Sequence, residues 1–219
     1  MKRLFDILAS GLALLVFAPL GLIIIVLLRC TGEGEIFYRQ KRVGRNETPF
    51  EVLKFATMLK DSPSMGTGTI TQKNDPRVLP MGKFLRKTKL NEVPQLWNIL
   101  VGDMSVVGPR PLTKDTRDYI PAEILEEIKD VQPGLSGIGS IVFRDEENII
   151  HESGEDYHVF YRREIAPFKG LVELWYKRHK SFLLDMRIIL ATLWVVLFPS
   201  SNVVKIFFPK LPKHPLFNA

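Results

Sequence analysis

Cysteine is almost missing: Cys30 is the only one in 219 residues. That excludes a disulfide scaffold and a cysteine-rich zinc site, and suits a reducing compartment. His151, His158, His179 and His214 have neither triad nor metal spacing and read as surface residues. Internal repeats are absent. Between residues 32 and 180 no linker interrupts the chain apart from one polar loop. After residue 28 no apolar run is long enough to cross a membrane, since residues 188–198 fall short of a span. The 30 Lys and Arg against 24 Asp and Glu give a net charge of +6, but they are spread along the chain. Without an aromatic–basic stripe or a reader motif they exclude a nucleic-acid-binding protein. Too few spans exclude a transporter.

What is there is strongly segregated. Mean hydropathy is only +0.05, yet residues 4–28 carry one charge, Asp6. As a helix this segment is about 37 Å long, enough to cross a hydrocarbon core of about 30 Å. It lacks the small-residue cleavage site of a signal peptide. Pro19 sits in its middle, and proline removes a helical hydrogen bond and bends the chain. Lys2 and Arg3 precede the segment; Arg29, Arg39, Lys41, Arg42 and Arg45 follow it. Basic flanks on both sides choose no orientation. On residues alone a spanning helix and a re-entrant one both stay open.

Residues 50–55 alternate loosely and predict a strand. Residues 61–75 are rich in Ser, Thr, Gly, Pro and Asn and predict a mobile loop; Gly66-Thr67-Gly68 lacks the spacing of a phosphate fingerprint. Residues 81–88 predict a basic helix. Leu90, Val93, Leu96, Trp97 and Leu100 recur at helical spacing, with Asn91, Glu92, Gln95 and Asn98 off that stripe and Gly102 as the stop. Gly108-Pro109-Arg110-Pro111 forces a turn. Residues 121–131 predict an amphipathic helix, broken by Gln132-Pro133-Gly134. Residues 181–198 predict an apolar helix. With Trp194, Phe198, Phe207 and Phe208 beside Lys205, Lys210 and Lys213, it suits the membrane interface. Trp97, Trp175 and Trp194 read as core or interface anchors.

The run from Phe84 through Arg86-Lys87-Thr88-Lys89-Leu90-Asn91-Glu92-Val93-Pro94-Gln95-Leu96-Trp97-Asn98, then Gly102-Asp103-Met104-Ser105-Val106-Val107-Gly108-Pro109-Arg110-Pro111, closely resembles the bacterial sugar transferases. These are the monotopic polyprenyl-phosphate phosphoglycosyl transferases that start glycan assembly on a lipid carrier. The resemblance extends to Lys2-Arg3-Leu4-Phe5-Asp6, Arg39-Gln40-Lys41-Arg42-Val43-Gly44, Lys54-Phe55-Ala56-Thr57-Met58, Pro133-Gly134-Leu135-Ser136-Gly137 and Asp185-Met186-Arg187. It implies an α/β, mostly helical protein. Residues 1–30 would be a re-entrant membrane helix broken near Pro19. Residues 31–180 would be a catalytic globular domain on the cytoplasmic face of the bacterial inner membrane. Residues 181–219 would be an interfacial helix with a basic-aromatic tail. The implied reaction moves a sugar 1-phosphate from a UDP-sugar to polyprenyl phosphate and releases UMP, with Mg2+ required. Membrane lipid is an implied partner, and a homodimer stays open.

Asn91 and Glu92 have two readings. Asn is a good N-cap, and Glu and Pro94 suit a first helical turn. A helix start also presents N–H groups where phosphate oxygens bind. The family usually has an Asp-Glu pair here, and its Asp attacks the sugar-side phosphate. This chain has Asn91, and an amide is a poor nucleophile. Four outcomes follow: Glu92 as nucleophile, Glu92 as general base or metal ligand with direct attack by the lipid phosphate, substitution by Asp145, Glu146 or Glu147, or a non-catalytic binding protein. Glu92 is the expected essential carboxylate. Arg86, Arg110 and Arg144 match family arginines, and arginine forks suit phosphate; their alternative is a solvated basic surface. Lys54 joins them as a substrate-binding residue, although the family's basic residue two positions on is Ala56 here. Asp103 is a candidate Mg2+ ligand with Glu92, or a turn-capping residue.

Overall fold

The computed structural model describes residues 1–65, 75–198 and 203–217. The glycine-threonine-glycine part of the expected loop lies outside them. The chain divides into two compact units: Met1, Arg3–Lys41 and Glu51–Gly102, and Lys2, Arg42–Phe50 and Asp103–Ala219.

The first unit begins with α1 (Lys2–Cys30), one helical element with Pro19 inside it. Its burial is confined to its two ends. Asp6 and Ser10 are buried near the start, Ile24 and Leu28 near the finish. Between them Leu12, Leu15, Val16, Phe17, Leu20, Leu22 and Ile23 are exposed. Arg3 Nη1 and Nη2 donate to the Ile99 and Leu100 carbonyls at 2.5 and 2.7 Å. Ile24 and Leu28 form an apolar cluster with Phe55 and Leu85, against which Ile36, Leu90 and Val93 pack. Both ends of this apolar helix are therefore fastened to one small unit.

Strands β1 (Phe37–Val43) and β2 (Pro49–Phe55) pair through a tight connection closed by Gly44 N–H to Thr48 O at 2.9 Å. The predicted strand at 50–55 is the second of these. The basic helix follows as α2 (Pro80–Lys87), with Pro80 in its first turn, where a missing N–H costs nothing. Arg77 ties the stretch before it together. Its guanidinium donates to Asp75 and to the Ser62 and Met65 carbonyls at 2.7 and 2.8 Å.

The expected single helix from residue 90 is two pieces. A 3-10 turn, Leu90–Glu92, precedes α3 (Gln95–Val101), whose N-cap is Pro94. Gly102, at φ 105°, ends α3 as expected. The buried face differs from the apolar stripe: Trp97 is 53% exposed, whereas Asn98 is 4% exposed. The reason is hydrogen bonding. Asn98 Nδ2 donates to Glu51 O at 2.8 Å and its Oδ1 accepts from Leu53 N–H at 2.9 Å. One amide thus satisfies both polarities of a strand edge, which turns that side of α3 inward.

In the second unit β3 (Ser105–Val107) and β4 (Gly134–Ser136) run parallel, with Ser105 opposite Gly134 and Val107 opposite Ser136. Helices α4 (Lys114–Arg117) and α5 (Ala122–Ile128) lie between them in sequence. After β4 come α6 (Ile138–Val142), α7 (Glu146–Ser153), α8 (Tyr157–Phe160), a π-helical turn (Tyr161–Ile165), α9 (Ala166–His179), α10 (Phe182–Leu197) and α11 (Val203–Phe207). Ser181 caps α10, its Oγ accepting from Leu184 N–H at 3.2 Å. The core is built from Ile138, Tyr161, Ile165, Val172, Tyr176 and Ile188, all essentially inaccessible. The outer face of α10 leaves Leu190, Leu193, Trp194, Val196, Leu197 and Phe198 exposed.

This core contains a polar inclusion. Lys169 Nζ donates to Glu146 Oε2 at 2.7 Å and to Tyr161 Oη at 3.3 Å, above the Phe143 and Tyr161 rings. One turn on, Glu173 is buried and its Oε2 has no hydrogen-bond partner. Burial pushes the Glu173 carboxyl up to about 7, with Lys169 opposing. A carboxyl raised in the folded state contributes stability that is complete below its ordinary range and is lost as pH rises through 7. Wild-type stability should therefore fall between pH 5 and 7.5 by up to about 3 kcal/mol relative to Glu173→Gln. Chemical denaturation of the two proteins at both pH values checks this; parallel profiles would contradict it.

Candidate active site

The local site in the first unit is built on the backbone that follows β2. Leu79 N–H donates to Thr57 O at 3.0 Å, and Met58 bridges Val78. Helix α2 lies directly on this backbone because residue 82 is glycine; a Cβ there would stand 2.0 Å from Thr57 O. One turn later, Arg86 Nη1 lies 3.4 Å from Thr57 Oγ1, at the long end of a hydrogen bond. Lys54 Nζ donates to the buried Gln40 Oε1 at 3.3 Å. Both cations are partly exposed.

Helix α2 packs on the Leu90–Glu92 turn, reached through Lys89 in the left-handed region at φ 60°. Leu90 and Val93 seat this turn on the Ile24, Leu28, Phe55 and Leu85 cluster. Asn91 is buried at 9% exposure, and its Oδ1 has no hydrogen-bond partner. It does not cap a helix: no side-chain cap bond is made at the 3-10 turn or at α3. The capping reading of Asn91 is thereby removed. Glu92 is only partly buried. In a 3-10 turn successive side chains diverge by about 120°, so residues 91 and 92 face different directions.

Asp103, Arg110 and Arg144 belong to the second unit. Gln132 Nε2 donates to the Asp103 carbonyl at 2.6 Å, and the Asp103 residue is exposed. Arg110 is exposed on the turn after β3. That turn is backbone against backbone. Gly108 N–H donates to Ser136 O at 2.9 Å and Gly134 N–H to Pro109 O at 2.8 Å, and a Cβ on Gly134 would meet Gly108 N at 2.1 Å. The end of β3 is held by a partly buried network. Lys2 Nζ donates to Val107 O at 2.8 Å and to Asp185 Oδ2 at 2.6 Å, and Tyr176 Oη donates to Asp185 Oδ1 at 2.7 Å. The positioning role of Tyr176 was not legible in the sequence, since a tyrosine on an amphipathic helix carries no signal of its partner. Arg144 Nε donates to its neighbour Asp145 Oδ2 at 3.1 Å. Among the described residues no three His, Cys, Asp or Glu side chains gather as a metal cluster.

A turn bearing an amide and a carboxylate, beside a helix bearing Arg86 and seated on the end of an apolar helix, suits an anionic substrate at a membrane boundary. The sequence profile of the bacterial sugar transferases matches residues 1–199. The chain belongs to the bacterial sugar transferase family. Similar proteins include the exopolysaccharide production protein ExoY of Rhizobium meliloti, 38% identical over 66% of this chain and 70% of that protein. A UDP-glucose:undecaprenyl-phosphate glucose-1-phosphate transferase of Caulobacter vibrioides is 33% identical over 87% of this chain and 67% of that protein. A UDP-N-acetylgalactosamine-undecaprenyl-phosphate N-acetylgalactosaminephosphotransferase of Aeromonas hydrophila is 38% identical over 65% of this chain. The chain matches only 34% of that last protein's length. This bacterial sugar transferase is thus an enzyme, which decides against the non-catalytic reading.

Replacing Gly82 by alanine should push α2 off the Thr57 backbone and cost about 1–3 kcal/mol of stability. A thermal melt in detergent checks it; an unchanged midpoint would contradict the close approach.

Proposed function

We propose that the chain transfers a sugar 1-phosphate from a UDP-sugar to polyprenyl phosphate at the cytoplasmic face of the bacterial inner membrane. The products are polyprenyl-diphosphate sugar and UMP, the first membrane step of a polysaccharide or glycoconjugate. The observation that carries this reading is the family match through the whole segment that holds Arg86, Asn91, Glu92 and Arg110. The relatives named for sugar-phosphate transfer to undecaprenyl phosphate support the substrate classes.

Phosphoryl transfer needs positioned cations more than covalent machinery. Arg86 and Lys54 bind phosphate oxygens in the first unit; Arg110 and Arg144 are the phosphate-binding arginines of the second. Glu92 is the essential carboxylate. Glu92, partly exposed on the turn, is a hard carboxylate donor of the kind Mg2+ takes alongside phosphate oxygens and water, so it fits that ion. When bound, Mg2+ supplies charge neutralisation on the diphosphate.

UMP release by the full chain in nanodiscs tests the reaction, with polyprenyl phosphate, Mg2+ and UDP-glucose, UDP-galactose or UDP-N-acetylgalactosamine. Lipid-dependent release is expected with one of them. Glu92→Gln should lower it by about 100-fold or more. Absence of release with all three, or full activity in Glu92→Gln, would refute the assignment.

The re-entrant path of α1 belongs to the same proposal. A straight helix would separate Arg3 from Ile24 by about 31 Å. Yet Arg3 holds the Ile99 carbonyl, next to Asn98, which bonds to Leu53, and Ile24 packs with Phe55 two residues along that strand. These neighbouring anchors, the exposed apolar middle and Pro19 support a helix that dips and returns. In sealed vesicles, Cys30 and an N-terminal tag should react with impermeant reagents from the same side. Labelling from opposite sides would establish a spanning helix instead.

A further inference from the structure

We infer that Glu173 is a positioning residue for the Arg110 turn and makes that turn sensitive to pH. Its neutral carboxyl lets α6 lie closed on α9; its ionised carboxylate opens that contact and loosens the turn. The inference rests on the reading above in which Arg110 binds the diphosphate of the sugar nucleotide.

A chain of close contacts within the second unit joins the two residues. Glu173, in the middle of α9, is 5% exposed. Helix α6 packs on α9, and a Cβ on Gly139 of α6 would stand 2.3 Å from Glu173 Oε1. Just before α6, a Cβ on Gly137 would stand 2.2 Å from Gly108 O. Gly108 N–H donates to Ser136 O at 2.9 Å, and Gly134 N–H to Pro109 O at 2.8 Å. Residues 136–139 therefore connect the carboxyl on α9 to the backbone that carries Arg110. A displaced α6 takes Ser136 and Gly137 with it, and the turn loses the segment it is bonded to.

The closed contact is poorly equipped to hold a charge. Glu173 Oε2 has no hydrogen-bond partner. The cation acting on it is Lys169, one turn back on α9, whose Nζ already donates to Glu146 and Tyr161. Tyr176, on the following turn, donates to Asp185. Helix α6 brings no titratable side chain. On the other elements packed against α9, Glu123, Glu126 and Glu127 of α5 and Arg162 and Arg163 of the π-helical turn are exposed, and Glu164 pairs with Arg163. An ionised carboxylate needs donors, and water supplies them by parting α6 from α9. The sign follows from burial, which raises the Glu173 carboxyl to about 7. Its preference for the closed contact is complete below the ordinary carboxylate range, is lost as pH rises to about 7, and stays lost above it.

The full chain in nanodiscs gives two readouts between pH 6 and 8: backbone hydrogen exchange corrected for the intrinsic rate, and UMP release with polyprenyl phosphate and varied UDP-sugar. In wild type the opening constant of residues 134–143 should rise about tenfold over that range. It should exceed that of α10 throughout, and the Gly108 and Arg110 amides should follow it. The KM for the UDP-sugar should rise in parallel, with kcat changing less. Glu173→Gln and Glu173→Met, both uncharged, should give flat profiles of exchange and of KM. A wild-type rise that persists in both neutral variants would overturn the inference. Opening constants at 134–143 equal to those of α10 at every pH would also overturn it, since exchange would then pass through global unfolding. Exchange that follows pH while KM does not would overturn the link to the Arg110 turn. Absence of UMP release, with the exchange pattern as expected, would refute the reaction and uphold the coupling of Glu173 to the turn.

Discussion

The fastening of α1 at both ends to one small unit is the constraint on which the rest of the first unit depends. Apolar side chains of the helix's middle have no protein to cover them, while Ile24 and Leu28 are buried with Phe55 and Leu85. Covering a leucine or isoleucine side chain is worth about 1.5–3 kcal/mol, so the end of the helix is a structural member and not only an anchor. The same cluster receives Leu90 and Val93, the residues flanking Asn91 and Glu92. The candidate catalytic turn is therefore seated on the end of the membrane-like helix. A reaction between a soluble sugar nucleotide and a lipid-borne phosphate needs that adjacency.

The second unit solves a related problem by different means. Arg110 is presented on a short turn built on close backbone contact. Gly108, Gly134 and Gly137 let two backbone segments meet at distances a Cβ would forbid. The hydrogen bonds at Gly108 and Gly134 then hold the turn from both sides. Behind it, Lys2, Tyr176 and Asp185 close on the Val107 carbonyl. Asp185 is buried and Lys2 only partly so, and removing Lys2 would leave that buried carboxylate without its cation, which makes the pair suited to fixing one geometry rather than to adding stability.

Much of this was legible in the sequence because it is written in local terms. Glycine after α3 and the alternation of β2 each act within a turn or a strand. Asn98 was misplaced because an apolar stripe counts only hydrophobic burial; nothing local reveals that an amide will pair with both groups of a strand edge. The break after Glu92 was hidden for the same reason. Periodicity of apolar residues continues through Leu90, Val93 and Leu96, while the backbone passes from a 3-10 turn to an α-helix. Asn91 and Glu92 were found by resemblance to a family motif, whereas the residue-level alternative, helix capping, does not occur.

Asn91 and Asn98 lie seven residues apart and are both buried, which makes their difference instructive. Asn98 makes two hydrogen bonds to the neighbouring strand and so supports the fold. Asn91 leaves its oxygen unpaired in the same small unit. An unsatisfied buried acceptor costs about 1–3 kcal/mol, a large share of the stability of a domain. Structure alone gives no return on that cost, because a leucine or methionine of similar size would remove it. A polar group buried without a protein partner, next to a carboxylate and an arginine-bearing helix, makes sense where a ligand supplies the missing partner. The same reasoning separates the two asparagines: Asn98, satisfied, holds α3 to the strand, and Asn91, unsatisfied beside Glu92 and the Arg86 helix, suits a place where a ligand supplies the partner.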